Sequence, residues 1–482
     1  MYNDLKLYIG GDWRTASDKA TKPVTDPATE DALGLIAVAT EADIDDALAA
    51  AQDGFRVWKA TGSWERAAKL RKVADLLRAD ADRIAMLMSL ETGKPLAEAK
   101  GEVGGAADQF EWYSEETKRI YGQIIESRTP DSRMSVIYQP VGVVAAFSAW
   151  NFPALLPARK MAAALGAGCS IIVKPAGETP ASCAALVQAC HDAGIPPGAV
   201  NMVTGSSGSI AAQLIRSPIV RKVSVTGSVP VGKEILRLAA EGVKKVTMEL
   251  GGHGPVVVFS DYDPIAAAET CATTKFRNCG QVCISPTRFY VQEDNYEAFA
   301  ERFAEVAKSL KIGRGTEEAV QVGPMANRRG LDTIRAMTQD ALDRGAELLA
   351  GGGTPAGANK GFFVEPTVLG RVPDDALVMN EEPFGPIAPI TTFRDYDEVM
   401  ARANALPFGL AGYVFSNDLS VATRASEDLE CGMIGVNEML LATAEAPFGG
   451  IKESGMGREG GSLGIKDYLD AKYVRTKLGA IA

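Results

Sequence analysis

Apolar residues early in the chain recur at three- and four-residue intervals. Ile44, Leu48, Ala51, Phe55 and Trp58 fall on one helical face. Leu70, Val73, Leu77, Ile84, Leu87 and Leu90 predict a second helix that closes near Gly93-Lys94-Pro95. A more polar run over Ala97–Ile120 predicts a third, partly exposed helix. Residues 1–40, ahead of them, read as short strands with turns at Gly10-Gly11-Asp12 and Asp26-Pro27. Between 121 and 141, Ile124–Ser127 and Ser135–Tyr138 predict two strands around a polar turn at Pro130-Asp131, with no pairing partner nearby. Such a hairpin is either an ordinary edge or an excursion serving another subunit.

From Val141 the rhythm becomes short apolar strand, then helix. The predicted strands are Val141–Ala146, Ser170–Val173, Val200–Val203, Lys222–Val225 and Val246–Glu249, with helices over Ala154–Leu165, Ala181–Ala193, Ser209–Ile215 and Val231–Glu241. Strands separated by helical crossovers imply a parallel, doubly wound α/β sheet, which binds ligands beyond its strand C-termini. A second α/β series starts near Pro255-Val256-Val257-Val258 and runs to about Phe448. It includes a helix over Pro264–Thr274 and a strand over Arg288–Val291. The segment Ile465–Val474 predicts a closing strand.

A chain of 482 residues implies two or three packed units. Its net charge of −11 argues against a general nucleic-acid or anionic-membrane surface. Apolar runs such as Val141–Ala149 are too short to span a bilayer, and the first residues lack the apolar core of a signal peptide. Seven scattered cysteines without a CxxC pair suit a reducing, cytoplasmic setting. Two histidines, His191 and His253, supply poorly either a metal site or a Ser-His-Asp triad.

The candidate chemistry gathers at strand ends and in one loop. Lys275–Ser285 carries two thiols, Cys279 and Cys283, beside Arg277 and Gly280-Gln281. A thiol acts as a nucleophile only as thiolate, and the loop alone does not say which one reacts. Thr226-Gly227-Ser228 opens a strand-to-helix turn that matches GxxxxGK, but Glu234 stands where a P-loop needs Ser or Thr for magnesium. Glu249-Leu250-Gly251-Gly252 ends a strand in a carboxylate that suits a general base, or is an ordinary solvated strand end. Trp150-Asn151-Phe152-Pro153 offers Asn151 as an oxyanion donor or as a helix cap. Lys174-Pro175 offers a cation for a ribose or phosphate.

These pieces resemble the aldehyde dehydrogenase superfamily over essentially the whole chain and in family order. Glu382-Pro383-Phe384-Gly385-Pro386 and Pro447-Phe448-Gly449-Gly450, with Lys452, Ser454 and Gly455, complete the match. The resemblance implies a Rossmann-type dinucleotide-binding domain (1–120 and 142–251), a second α/β catalytic domain (252–450) and a small β bridging element (121–141 and 463–482) joining a homodimer or homotetramer. It implies that Cys283 attacks the aldehyde carbon while Asn151 and the Cys283 N–H hold the oxyanion. The hemithioacetal then gives its hydride to NAD or NADP, and Glu249 activates the water that releases the carboxylate. Lys160 is implied as a supporting polar residue and Cys279 as a spectator or redox partner. Trp150, Lys174, Gly177, Glu178, Gly227, Ser228, Leu250, Glu382 and Phe384 are implied on the cofactor, with Glu382 at the nicotinamide ribose. Arg159 and Arg277 match arginines that grip the distal carboxylate in relatives oxidising succinate semialdehyde. A broad aliphatic or aromatic aldehyde oxidiser, a CoA-acylating enzyme and a non-catalytic member stand as alternatives, although Cys283 and Glu249 are both retained. Where NAD-selective relatives carry Glu three residues after the Lys, this chain has Gly177, with Glu178 one later. That leaves NAD and NADP both open.

Overall fold

The computed structural model describes residues 2–479, which hold two large sheets, a three-stranded sheet and a two-stranded ribbon. The first large sheet is built on the five predicted strands, now Val143–Phe147, Ser170–Lys174, Val200–Met202, Val220–Thr226 and Lys245–Glu249, all parallel. The chain winds outward from Val143–Phe147 through Ser170–Lys174 to Val200–Met202. It then crosses back to lay Val220–Thr226 and Lys245–Glu249 on the other side. The winding direction therefore reverses beside Val143–Phe147, where a crevice opens at the strand C-termini. Two antiparallel additions cover the edges: Leu7–Ile9 with Asp12–Arg14 at one, Gly455–Met456 at the other.

The second sheet holds seven strands, with Gly254–Val258 and Pro286–Gln292 near its centre. The chain leaves the first sheet at Glu249 and enters the second at Gly254. The C-terminal ends of one sheet thus meet the N-terminal ends of the other along a seam.

The hairpin finds its partner far away in sequence. Gln123–Ile125 and Ser132–Pro140 pair with each other, and Leu469–Lys477 runs antiparallel along Ser132–Pro140 from Leu469 opposite Pro140 to Lys477 opposite Ser132. Residues 480–482 of the predicted bridging segment lie outside the described residues. Just before that strand, Ile465, Tyr468 and Leu469 are buried in the same core as Phe110, Met161 and Ile171. Among the described residues no helix is long and apolar enough to cross a membrane.

One helix boundary differs from expectation. The stripe from Leu70 to Leu90 belongs to two helices, Ser63–Ala79 and Ala81–Thr92, broken where Asp80 leaves helical geometry at φ −105° and ψ 15°. Leu77 and Ile84 flank the break seven positions apart, two full turns. The apolar period therefore reads through the break.

Candidate active site

The loop that carries Cys283 follows the helix Pro264–Phe276 and is bent by three successive left-handed residues, Asn278, Cys279 and Gly280, with φ of 51°, 55° and 70°. Asn tolerates this region because its side chain bonds locally, and Gly because it lacks a Cβ. A Cβ on Gly280 would also run into the carbonyl of Gly385, so the thiol loop lies directly on the Glu382–Pro386 loop. The strain at Cys279 is held by its neighbours. Asn278 Nδ2 donates to the carbonyls of Asn151 and Gln281, at 3.1 Å each, and Gln281 Nε2 returns a bond to the Asn278 carbonyl. Cys279 itself is buried against Met325.

Asn151 is clamped into the same knot. Its Nδ2 donates to the Gln281 carbonyl at 3.1 Å, which leaves the second N–H of the amide free, while its own carbonyl accepts from Lys94 Nζ at 2.9 Å. Lys94 pairs with Glu102, and both are buried. Glu102 Oε1 in turn accepts from the N–H groups of Ala154 and Leu155 at 2.8 and 3.1 Å, at the start of the helix Leu155–Ala167. A buried ion pair that also caps a helix fixes the backbone on which Asn151 stands.

Twelve of the fifteen predicted site residues line one cavity of about 790 Å³ at the seam: Trp150, Asn151, Lys174, Gly177, Glu178, Gly227, Ser228, Glu249, Leu250, Cys283, Glu382 and Phe384. Trp150 and Phe384 meet edge to face, with centroids 5.5 Å apart, across the two loops. Glu382 Oε1 accepts from the Gly252 N–H at 3.2 Å, and a Cβ on Gly251 would collide with its carboxylate. Burial pushes Glu382 up to about 8, against the pull of the Gly252 N–H and Lys275.

Lys160, Arg159 and Arg277 are not in the cavity wall. Lys160 lies behind it, paired with the buried Glu459 and donating to Thr226 Oγ1 at 2.8 Å. Arg159 is 2% exposed, with its guanidinium 4.1 Å over the ring of Phe448, and its Nε and Nη2 have no partner. Arg277 is exposed, 5.7 Å from the ring of Phe152. Neither arginine joins the ion pairs among the described residues.

Both oxygens of buried Glu249 are without a hydrogen-bond partner. Burial, then the charge of Glu459, raises its pKa well above the usual carboxyl value, while Lys160, Arg159 and Arg458 pull the other way. Burial likewise pushes the Cys283 thiol up to about 12; Arg159 opposes the rise, and Glu382 and Glu249 add to it. Burial thus biases the thiol and the acid alike toward their neutral forms, with Arg159 the strongest influence toward the thiolate.

Sequence reasoning missed Lys94, Glu102, Asn278 and Glu459. Lys94 reads as a helix end, and Glu459 stands 299 residues from the lysine it pairs with. No local pattern announces that contact.

The residues also fit a nicotinamide dinucleotide. The helix Val229–Glu241 starts at Ser228 with no side chain capping its first N–H groups, at the mouth of the cavity, as a phosphate site requires. Lys174 and Glu382 stand at the same cavity.

Comparison with known proteins agrees. The family described as "Aldehyde dehydrogenase family" matches residues 13–474. The chain is 45% identical to the glutarate-semialdehyde dehydrogenase of Pseudomonas putida over 97% of both chains. It is 43% identical to the NADP(+) succinate-semialdehyde dehydrogenase of Escherichia coli over 98% of both. A crystal structure of succinate-semialdehyde dehydrogenase from Burkholderia pseudomallei superposes with a TM-score of 0.96 at 43% identity, covering 98% of each chain.

Two measurements check the electrostatics. Inactivation of the cofactor-free protein by iodoacetamide should accelerate about tenfold per pH unit from neutrality to about pH 9, without a plateau, because the thiolate fraction is still climbing. A plateau near pH 8 would contradict the raised thiol. Ionising Glu249 costs native stability as pH rises through its raised value. Glu249→Gln should therefore have a higher Tm than the parent at about pH 8, and the two should converge near pH 4. A Tm gap that does not change with pH would refute this.

Proposed function

The chain belongs to the aldehyde dehydrogenase family, and on that premise we propose that it oxidises an ω-carboxylate semialdehyde of the succinate or glutarate semialdehyde class to the dicarboxylate. The observation that carries the substrate class is Arg159, a buried guanidinium with two unpartnered nitrogens. An unpaired buried cation is costly, and only Phe448 of the cavity wall is shown against the guanidinium, so a substrate carboxylate that reached past that ring would supply the missing acceptors. Arg277, exposed at the start of the thiol loop and in no ion pair among the described residues, serves as the outer guide for the same group.

The chemistry follows from the residues in the cavity. The Cys283 thiol first loses its proton to solvent; the thiolate sulfur then bonds to the aldehyde carbon, and the carbonyl electron pair moves to oxygen. The free N–H of Asn151 and the Cys283 backbone N–H receive that oxyanion, an interaction worth about 3 kcal/mol per donor in comparable sites. A bound NAD or NADP supplies the acceptor for the hydride that leaves the carbon. Glu249 takes a proton from water, whose oxygen attacks the thioester carbon. The carbon–sulfur bond breaks, and the acid departs. Glu249 needs to be ionised for this step, so Lys160, Arg159 and Arg458 work in its favour.

We also read the three-stranded sheet as the face joining subunits in a dimer or tetramer, since Ile124 is 91% exposed there, with Tyr473 and Val474 also uncovered. Seven free thiols fit a reducing, cytoplasmic compartment.

Arg277 gives the cleaner test of substrate class, because removing Arg159 also removes a charge that favours the Cys283 thiolate. In Arg277→Ala, kcat/KM for succinate semialdehyde should fall roughly tenfold or more while that for butyraldehyde moves little. Equal effects on the two aldehydes would defeat the carboxylate reading.

A further inference from the structure

Against Gly177 in the cavity wall stands a cation that joins no ion pair among the described residues. Lys22 lies on the strand Thr21–Thr25, which pairs with Ala32–Ala37 in a two-stranded ribbon separate from the large sheets. Its Nζ stands 2.5 Å from the position a Cβ would occupy on Gly177. The ammonium therefore fills the space a side chain at 177 would take, and it does so from a part of the chain 155 positions earlier (177 − 22). None of the ion pairs among the described residues includes Lys22.

Lys174 reaches the same place from the end of its strand. It is 4% exposed, and its Nζ donates to Ser207 Oγ. Lys22 is felt at Lys174, which is brought down to about 8, first by burial and then by Lys22, with Glu178 opposing. Glu178 is exposed and lines the cavity beside Gly177. Arg216 also lines this end of the cavity but is turned toward Glu241, with Nε to Oε2 at 3.2 Å.

The chemistry of this corner discriminates between ligands. A pair of ribose hydroxyls is best held by a carboxylate acceptor, and position 177 offers none. Two ammoniums offer only donors, and Glu178 forms no ion pair with either among the described residues, so an acceptor-rich dianion would find free donors there. A phosphate monoester is such a group.

We propose that Lys22, reaching over Gly177 from the N-terminal ribbon, binds the 2′-phosphate of NADP together with Lys174 and Ser207 and makes the enzyme NADP-selective. The proposal relies on the family reading only for the presence of a dinucleotide in this cavity. Gly177 is then required as an opening for Lys22, a requirement that the loop sequence alone does not reveal.

The test uses two adenine fragments and needs no aldehyde. Calorimetric titration of the cofactor-free protein should show 2′,5′-ADP bound more tightly than 5′-AMP. Lys22→Ala should cut that preference roughly tenfold to a hundredfold, and Lys22→Arg should keep most of it. The ratio of kcat/KM for NADP over NAD should fall in step in Lys22→Ala. A preference unchanged in Lys22→Ala overturns the proposal, as does a parent protein that favours 5′-AMP. Failure of semialdehyde turnover with fragment discrimination intact would reject the substrate reading and leave this one standing.

Discussion

The site depends on a buried polar knot that ties two sheets together at their facing ends. The carbonyls of Asn151 and Gln281 project into a region without solvent, and each must find a donor there. Lys94 and the Asn278 side chain serve the first; the Asn151 and Asn278 side chains serve the second. Glu102 then anchors Lys94 while capping the helix that begins just after Asn151. The amide donor on one sheet and the thiol loop on the other are thereby held by shared hydrogen bonds. A site assembled from two folding units needs such sharing, because a displacement of about 1 Å between reacting groups can cost a hundredfold in rate.

The same burial that makes the knot rigid sets the charge state of the chemistry. Cys283, Glu249 and Glu382 are all pushed toward their neutral forms. Arg159 and Lys160 oppose this from behind the cavity wall, Lys160 already committed to Glu459 and Arg159 uncommitted at two of its nitrogens. The thiol end of the cavity is therefore short of fixed charge. Ligands filling the cavity would exclude water, which strengthens the remaining interactions of nucleophile and base with the groups around them.

Much of this is legible in the sequence. Strand and helix periods locate the first sheet to within two or three residues at each strand end, because fully buried parallel strands read as short apolar runs. Glycines at 251 and 280 mark places where a loop passes close to another chain segment. What stays hidden is long-range pairing. The break at Asp80 is masked by an apolar stripe whose phase survives it. The partner of the hairpin, Leu469–Lys477, lies over three hundred positions downstream. Glu459, Glu102 and Lys22 are single polar residues in unremarkable surroundings, and their meaning comes wholly from what the fold places beside them.

The central claim is that Cys283, and no other of the seven thiols, becomes acylated by the substrate. Intact-mass analysis of Glu249→Gln, mixed with succinate semialdehyde and NADP and quenched in acid, tests this directly, since that variant makes the acyl group but lacks the base that releases it. The account predicts one added succinyl group per subunit, mapped by peptide sequencing to Cys283. An unmodified protein, or an acyl group on Cys279 or any other cysteine, would contradict it.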